Sequence, residues 1–252
     1  MTDPPAHRFP ARDGLELAYR ATGEGRPLVL IHGFTASGLQ WLKHGDAGTI
    51  ASRGYRVILP DLRGHGDSAQ PHDPAAYPPD VLADDTLALI DRLGLDDYDL
   101  GGYSLGGTVA LRALARGARP GRAIVAGQGF EVITGTARRG GPYRGVLTAL
   151  TRGDHIEPGS PEAELAYWIT QGGADPQALL RVLDSLVATP ESTLRQIATP
   201  TLVIVGDQDE RHASADALAA ALPEATFARV PGSHYAAMAA PEFGAAILDF
   251  LG

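Results

Sequence analysis

The sequence predicts an α/β fold, with a mostly parallel, doubly wound sheet of about eight strands and a helical cap insertion. Three observations predict it. Short apolar runs such as Leu28-Val29-Leu30-Ile31 alternate with helix-period segments. Tyr98 to Ala115 reads as strand, glycine-rich turn and helix in immediate succession. From about Gln128 to Gln196 the alternation stops, and helical patches stand alone.

The elements follow in order. Arg8 to Thr22 forms two short strands around Arg12-Asp13-Gly14, because Asp-Gly between alternating runs is a hairpin signal. Leu28–Ile31 is a strand buried on both faces, since its apolar run is unbroken. Ala36 to Arg53 is a helical region with Trp41 and Ile50 as core candidates, and Tyr55–Leu59 is the next strand. A glycine-punctuated loop, Pro60 to Ser68, runs on into Pro71, Pro74, Pro78 and Pro79. Asp80 to Leu93 is a helix that Gly94 stops. Tyr98–Gly101, Arg122–Ala126, Thr201–Val205 and Thr226–Val230 complete the strands, and Ala213–Leu222 and Phe243–Leu251 are the late helices.

The insertion carries helical patches at Val146–Leu150, Pro161–Ile169 and Pro176–Val187. Ser160-Pro161 and Asp175-Pro176 are each an N-cap followed by proline at the first helical position. The organisation expected is a core in two parts, 1–127 and 197–252, with 128–196 as a helical cap or lid.

Composition bounds the chemistry. At 252 residues with no cysteine, the chain needs no staples and excludes disulfides, thiolate metal sites and cysteine nucleophiles. A net charge of -9 argues against a nucleic-acid partner, which needs a basic surface. No segment reaches the ~20 apolar residues of a membrane span, and the first residues lack a signal-peptide core. A cytoplasmic protein acting on a small molecule, with no membrane or nucleic-acid partner, is the expectation; oligomeric state stays open.

Gly102-Tyr103-Ser104-Leu105-Gly106 fits G-x-S-x-G, and its strand–turn–helix context is the one that lifts a serine above a sheet edge. A serine hydroxyl is unreactive at neutral pH without an adjacent base. His234, beyond the last strand in Pro231-Gly232-Ser233-His234-Tyr235, is the candidate base. Asp207 and Asp209, just past Thr201–Val205, are candidate acids. Nucleophile, acid and base then occur in the chain order associated with G-x-S-x-G enzymes.

On these residues the chain resembles the α/β-hydrolase superfamily, in its cap-bearing, esterase- or lipase-like branch. The resemblance runs from about Leu15 to Leu251 and rests on GYSLGG together with HGFT (32–35), DLRGHGDS (61–68), VGDQD (205–209) and PGSHY (231–235). It implies Ser104 as nucleophile and His234 as base. It selects Asp209 as the acid, three residues after the glycine, with Asp207 as a turn residue and Glu131 as a third option. It also implies an oxyanion hole from the backbone N–H groups of Phe34 and Leu105, and no cofactor or metal. Asp61 and Arg63 of DLRGHGDS read as a local pair with a structural role. Phe130, Tyr143, Leu147, Tyr167 and Trp168 are the insertion residues placed as pocket candidates. Hydrolysis of a carboxylic ester or lactone through an acyl-enzyme is the activity implied. A menaquinone-pathway-like lyase, a carbon–carbon bond hydrolase, a perhydrolase and a non-catalytic receptor are the alternatives. That lyase family carries an arginine where Thr108 stands here. Ser104 disfavours the relatives that use an aspartate nucleophile.

Overall fold

A computed structural model describes residues 3–136, 141–171 and 173–252. The strands are β1 (His7–Pro10), β2 (Glu16–Thr22), β3 (Arg26–Ile31), β4 (Tyr55–Asp61), β5 (Asp99–Tyr103), β6 (Ala123–Ala126), β7 (Thr201–Gly206) and β8 (Ala225–Val230). They form one eight-stranded sheet in the order β1-β2-β4-β3-β5-β6-β7-β8. β1–β2 and β2–β4 pair antiparallel, and every other neighbouring pair is parallel.

The helices are α1 (Leu39–Lys43), α2 (Ala47–Ala51), α3 (Val81–Leu93), α4 (Leu105–Ala115), α5 (Phe130–Thr134), α6 (Gly141–Arg152), α7 (Pro161–Gln171), α8 (Pro176–Ser185), α9 (Glu191–Leu194), α10 (Ala215–Ala221) and α11 (Pro241–Leu251). Side chains alternate across a strand, so an all-apolar strand feeds two cores. Val29 and Ile31 of β3 join the cluster that covers α3, α4 and α10. Leu28 and Leu30 of the same strand join Trp41, Ile50, Phe243 and Ile247, the cluster of α1, α2 and α11. Among the described residues no helix is long and apolar enough to cross a membrane.

The helical region expected over 36–53 is two short helices. Gly45 sits between them with no room for a side chain, since a Cβ there would lie 2.5 Å from both Trp41 and Met238. Short helices α5 and α9, absent from the sequence reading, lie at the two ends of the 128–196 segment, and Ile133 and Leu194 from them join the sheet's main core. Helices α6, α7 and α8 pack around a cluster of their own, built on Val146, Leu147, Ala166, Ile169, Leu179 and Leu183.

The loop after β4 ties the molecule together, and its pairing differs from the expectation. Asp61 and Arg63 do not bond to each other. Asp61 accepts from the Gly38 and Asp67 N–H groups and from Arg20, at 2.7, 2.9 and 3.1 Å. Arg63 is 1 % exposed and turns away to Asp85, which it meets with two nitrogens at 2.9 and 2.8 Å, and to Asp13. Five guanidinium donors need several acceptors once buried, and one carboxylate next door in sequence cannot supply them.

Candidate active site

The site sits at the carboxyl edge of the parallel strands, where open α/β sheets gather functional loops. β3 delivers Phe34, β5 delivers Ser104, β6 delivers Gln128, β7 delivers Asp209 and β8 delivers His234.

Ser104 occupies the sharp turn between β5 and α4, at φ 54 and ψ -115. A non-glycine residue at positive φ is strained, and the surroundings hold it there. Its N–H donates to Ala126 O at 2.8 Å, and Gln128 Nε2 donates to its carbonyl at 2.5 Å. The turn closes because its flanks have no side chains. A Cβ on Gly102 would lie 2.2 Å from the Gly106 carbonyl carbon, and one on Gly106 would lie 2.1 Å from Ile31 O.

His234 Nε2 lies 3.1 Å from Ser104 Oγ, and His234 Nδ1 lies 2.7 Å from Asp209 Oδ2. Burial alone would raise the Asp209 pKa; its bond to His234 and the charge there reverse this and hold it below the ordinary value. An ionised carboxylate at Nδ1 keeps the proton on that nitrogen and leaves Nε2 as a lone pair facing the hydroxyl. Tyr103 fixes the base loop by donating its hydroxyl to His234 O at 2.5 Å. Asp207 instead accepts from the Gly232 N–H at 2.8 Å, bracing the same loop. Glu131 is exposed on α5, away from this chain of bonds.

The His32 ring joins the loops that border the site. Its Nε2 accepts from Leu62 N–H at 3.0 Å, so Nδ1 carries the proton and donates to Gly33 O at 2.8 Å. The Gly33 N–H is taken by Gln40 Oε1 at 2.8 Å. Phe34 lines the cavity with Ser104 and Leu105, and its ring packs edge-on against His65 and Tyr143. The Leu105 N–H belongs to the first turn of α4, where helix geometry offers no internal acceptor.

The cavity over Ser104 holds about 420 Å³. Tyr143, Leu183 and Leu186 wall it from the inserted segment, and Gln128, Thr108 and Met238 line it from the sheet side. Of the five pocket candidates, Tyr143 alone borders it. Phe130 packs against the sheet core, and Leu147 is fully buried inside the α6–α8 cluster. Tyr167 and Trp168 are 56 % and 64 % exposed, because Ala166 and Ile169 form the buried face of α7 and put them on the outside.

Two further residues, not singled out by the sequence, border the cavity. His212 is buried with its ring 4.8 Å from that of His234. Burial first, then His234, lowers its pKa to about 4, so it is neutral at pH 7. Gln128 lines the cavity, and its buried Oε1 has no partner among the described residues. Neither has a local sequence signal, since both positions depend on loops meeting across the sheet. Asp209, His212 and His234 bring ligand-type atoms within 4.8 Å of one another. Both ring nitrogens of His234 are already engaged, Nδ1 with Asp209 and Nε2 with Ser104, so the cluster has no free nitrogen on that ring to offer an ion.

Comparison with known proteins agrees with this architecture. Residues 26–126 match the α/β-hydrolase fold family. A protein of Synechocystis sp., named as a candidate non-heme chloroperoxidase, is 30% identical over 237 residues, covering 83% of each chain. Non-heme chloroperoxidase CPO-A1 of Kitasatospora aureofaciens is 40% identical over 105 residues, 42% of this chain and 37% of that one; the match thus spans little more than a third of that relative. A thermophilic esterase from Thermogutta terrifontis superposes with a TM-score of 0.72 and 27% identity over 98% of both chains. The chain belongs to the α/β-hydrolase superfamily.

Proposed function

We propose that the protein is a serine hydrolase that cleaves a carboxylic ester through an acyl-enzyme, with Ser104 as nucleophile, His234 as base and Asp209 as the orienting acid. One observation carries the reading: two hydrogen bonds in series, Asp209 to His234 to Ser104, opening into a cavity with largely apolar walls.

Ser104 Oγ attacks the ester carbonyl while His234 Nε2 takes its proton. The Phe34 and Leu105 N–H groups receive the negative oxygen, a donor of this kind contributing about 3 kcal/mol in the transition state. The carbon–oxygen bond to the alcohol breaks, and His234 returns the proton to the departing oxygen. Water then gives its proton to His234 and its oxygen to the acyl carbon, Ser104 leaves reprotonated, and a carboxylic acid is released. Helices α6–α8 act as the cap that shields these steps. The expected compartment is the cytoplasm.

The match to proteins named non-heme chloroperoxidases supports a second use of the same intermediate. Hydrogen peroxide in place of water would discharge the acyl-enzyme as a peracid, with the same proton transfers.

Replacing Ser104 by Ala tests both. Turnover across a panel of esters and lactones, and labelling by a serine-directed phosphonate, should vanish. Undiminished turnover in the variant overturns the assignment.

A further inference from the structure

We propose that the rim of the Ser104 cavity is a carboxylate-binding subsite centred on Arg211, so that the preferred ester carries a free carboxylate on the part lying at the rim. The proposal rests on the ester-hydrolase reading for the chemistry, and on separate residues for the recognition.

Arg211 lies two residues beyond Asp209 and Tyr235 directly follows His234, so both are held by the loops that form the catalytic pair. Tyr143 arrives from α6. The three meet at the cavity wall. Tyr143 and Tyr235 hydroxyls are 3.0 Å apart, Arg211 Nη1 donates to the Tyr235 hydroxyl at 3.3 Å, and the guanidinium carbon stands 5.8 Å from the Tyr235 ring centre.

This cluster has more donors than acceptors. A guanidinium offers five N–H groups, and two phenols bonded to each other still leave one hydroxyl hydrogen to donate. Burial pushes the Tyr143 hydroxyl's pKa up, which keeps it protonated and a donor. The Asp209 carboxylate accepts from the Arg211 backbone N–H, but among the described residues no carboxylate oxygen lies within 4.0 Å of the Arg211 guanidinium nitrogens, although Arg20, Arg26, Arg63, Arg112 and Arg116 are all paired with aspartates.

The sign of the cavity is as telling. The chain has a net charge of -9, yet among the described residues no Asp or Glu lines this cavity and Arg211 does. A neutral alkyl chain gains nothing from such a rim, and a neutral carbonyl gains less than a carboxylate. A carboxylate fits the guanidinium's planar fork with two parallel bonds and takes the spare phenol hydrogen as a third. Arg211 and Tyr235 are exposed at the mouth of the cavity, so the charge pair forms where the site meets solvent and its strength falls with salt. Thr108, where the lyase family holds its cation, also lines the cavity, so here the positive charge enters from the acid loop instead.

The test uses two esters that differ in one charge: p-nitrophenyl hydrogen glutarate and its carboxylate-capped partner, p-nitrophenyl methyl glutarate. Calorimetric titration of the Ser104→Ala protein reads binding without turnover. The acid ester should bind at least about tenfold more tightly than the capped ester, the worth of a charge-assisted pair. Ser104→Ala/Arg211→Gln should reduce that ratio to below about threefold, and Arg211→Lys should keep part of it. Raising the salt concentration should weaken binding of the acid ester and leave the capped ester unmoved, a readout that needs no second substitution. Equal affinity for the two esters, binding of neither, or a ratio indifferent to Arg211 and to salt overturns the subsite. Turnover of neither ester by the unsubstituted enzyme, with the binding preference intact, overturns the hydrolase reading and spares the subsite.

Discussion

In the proposed mechanism Asp209 acts on Ser104 through the His234 tautomer, which makes its replacement informative. Asparagine has the same shape but can turn its N–H toward His234 Nδ1. The proton then sits on Nε2, which can no longer accept from Ser104. Asp209→Asn should lower kcat by about 10³–10⁴-fold with KM little changed, measured at saturating ester. Residues at this scale differed in legibility. Ser104 and His234 could be named because each follows an apolar strand in a motif of its own, whereas the residues left Asp207 and Asp209 equal and only the family resemblance chose between them. His212 and Arg211 could not be assigned places in the site, because a turn of three residues, Glu210–His212, decides which way they face. Tyr167 and Trp168 misled because aromatic character says nothing of helix phase, and the phase of α7 is set by Ala166 and Ile169.

Among the elements, the loop after β4 does most to hold others in place. Arg63 links it to α3 through Asp85 and to the first hairpin through Asp13, with its own side chain 1 % exposed. Arg63→Met strands the largely buried Asp85, and should destabilise the fold by about 3–5 kcal/mol. Urea denaturation should register this, and adding Asp85→Leu should recover part of the loss. The strands were the most legible elements, because parallel strands buried on both faces are continuous apolar runs. The 36–53 region was less so: its helical period continues through His44-Gly45-Asp46, where tertiary crowding by Trp41 and Met238 breaks it. Helices of four or five residues, such as α5 and α9, are too short to show a period.

Over the whole molecule, three buried histidines make stability depend on pH. Burial lowers the pKa of His32 to about 4 and of His65 to about 3, and His212 stands at about 4, against 6.5 for an ordinary histidine. The unfolded chain takes up protons first, so their contribution is complete above about 6.5 and is lost as pH falls toward the folded values. Each histidine adds a slope of up to about 1.4 kcal/mol per pH unit in that window. Asp85, pushed up to about 6 by burial, works in the opposite sense and offsets one of them. The thermal midpoint should therefore drop between pH 7 and pH 5, and His65→Phe should flatten that drop in a calorimetric series.

The same sheet that gathers the site also disperses it along the chain. Ser104 and His234 stand 130 residues apart, with Asp209 between them 25 residues before His234, and these two follow β7 and β8, the last strands laid down at one edge. On the ribosome, the serine is made long before either partner exists. An elbow folded at that stage would present an unactivated hydroxyl, so a nascent chain with β5 and β6 in place carries no hydrolytic hazard to its surroundings. Competence arrives when β7 and β8 dock, which makes the first turnover a timestamp for the end of folding.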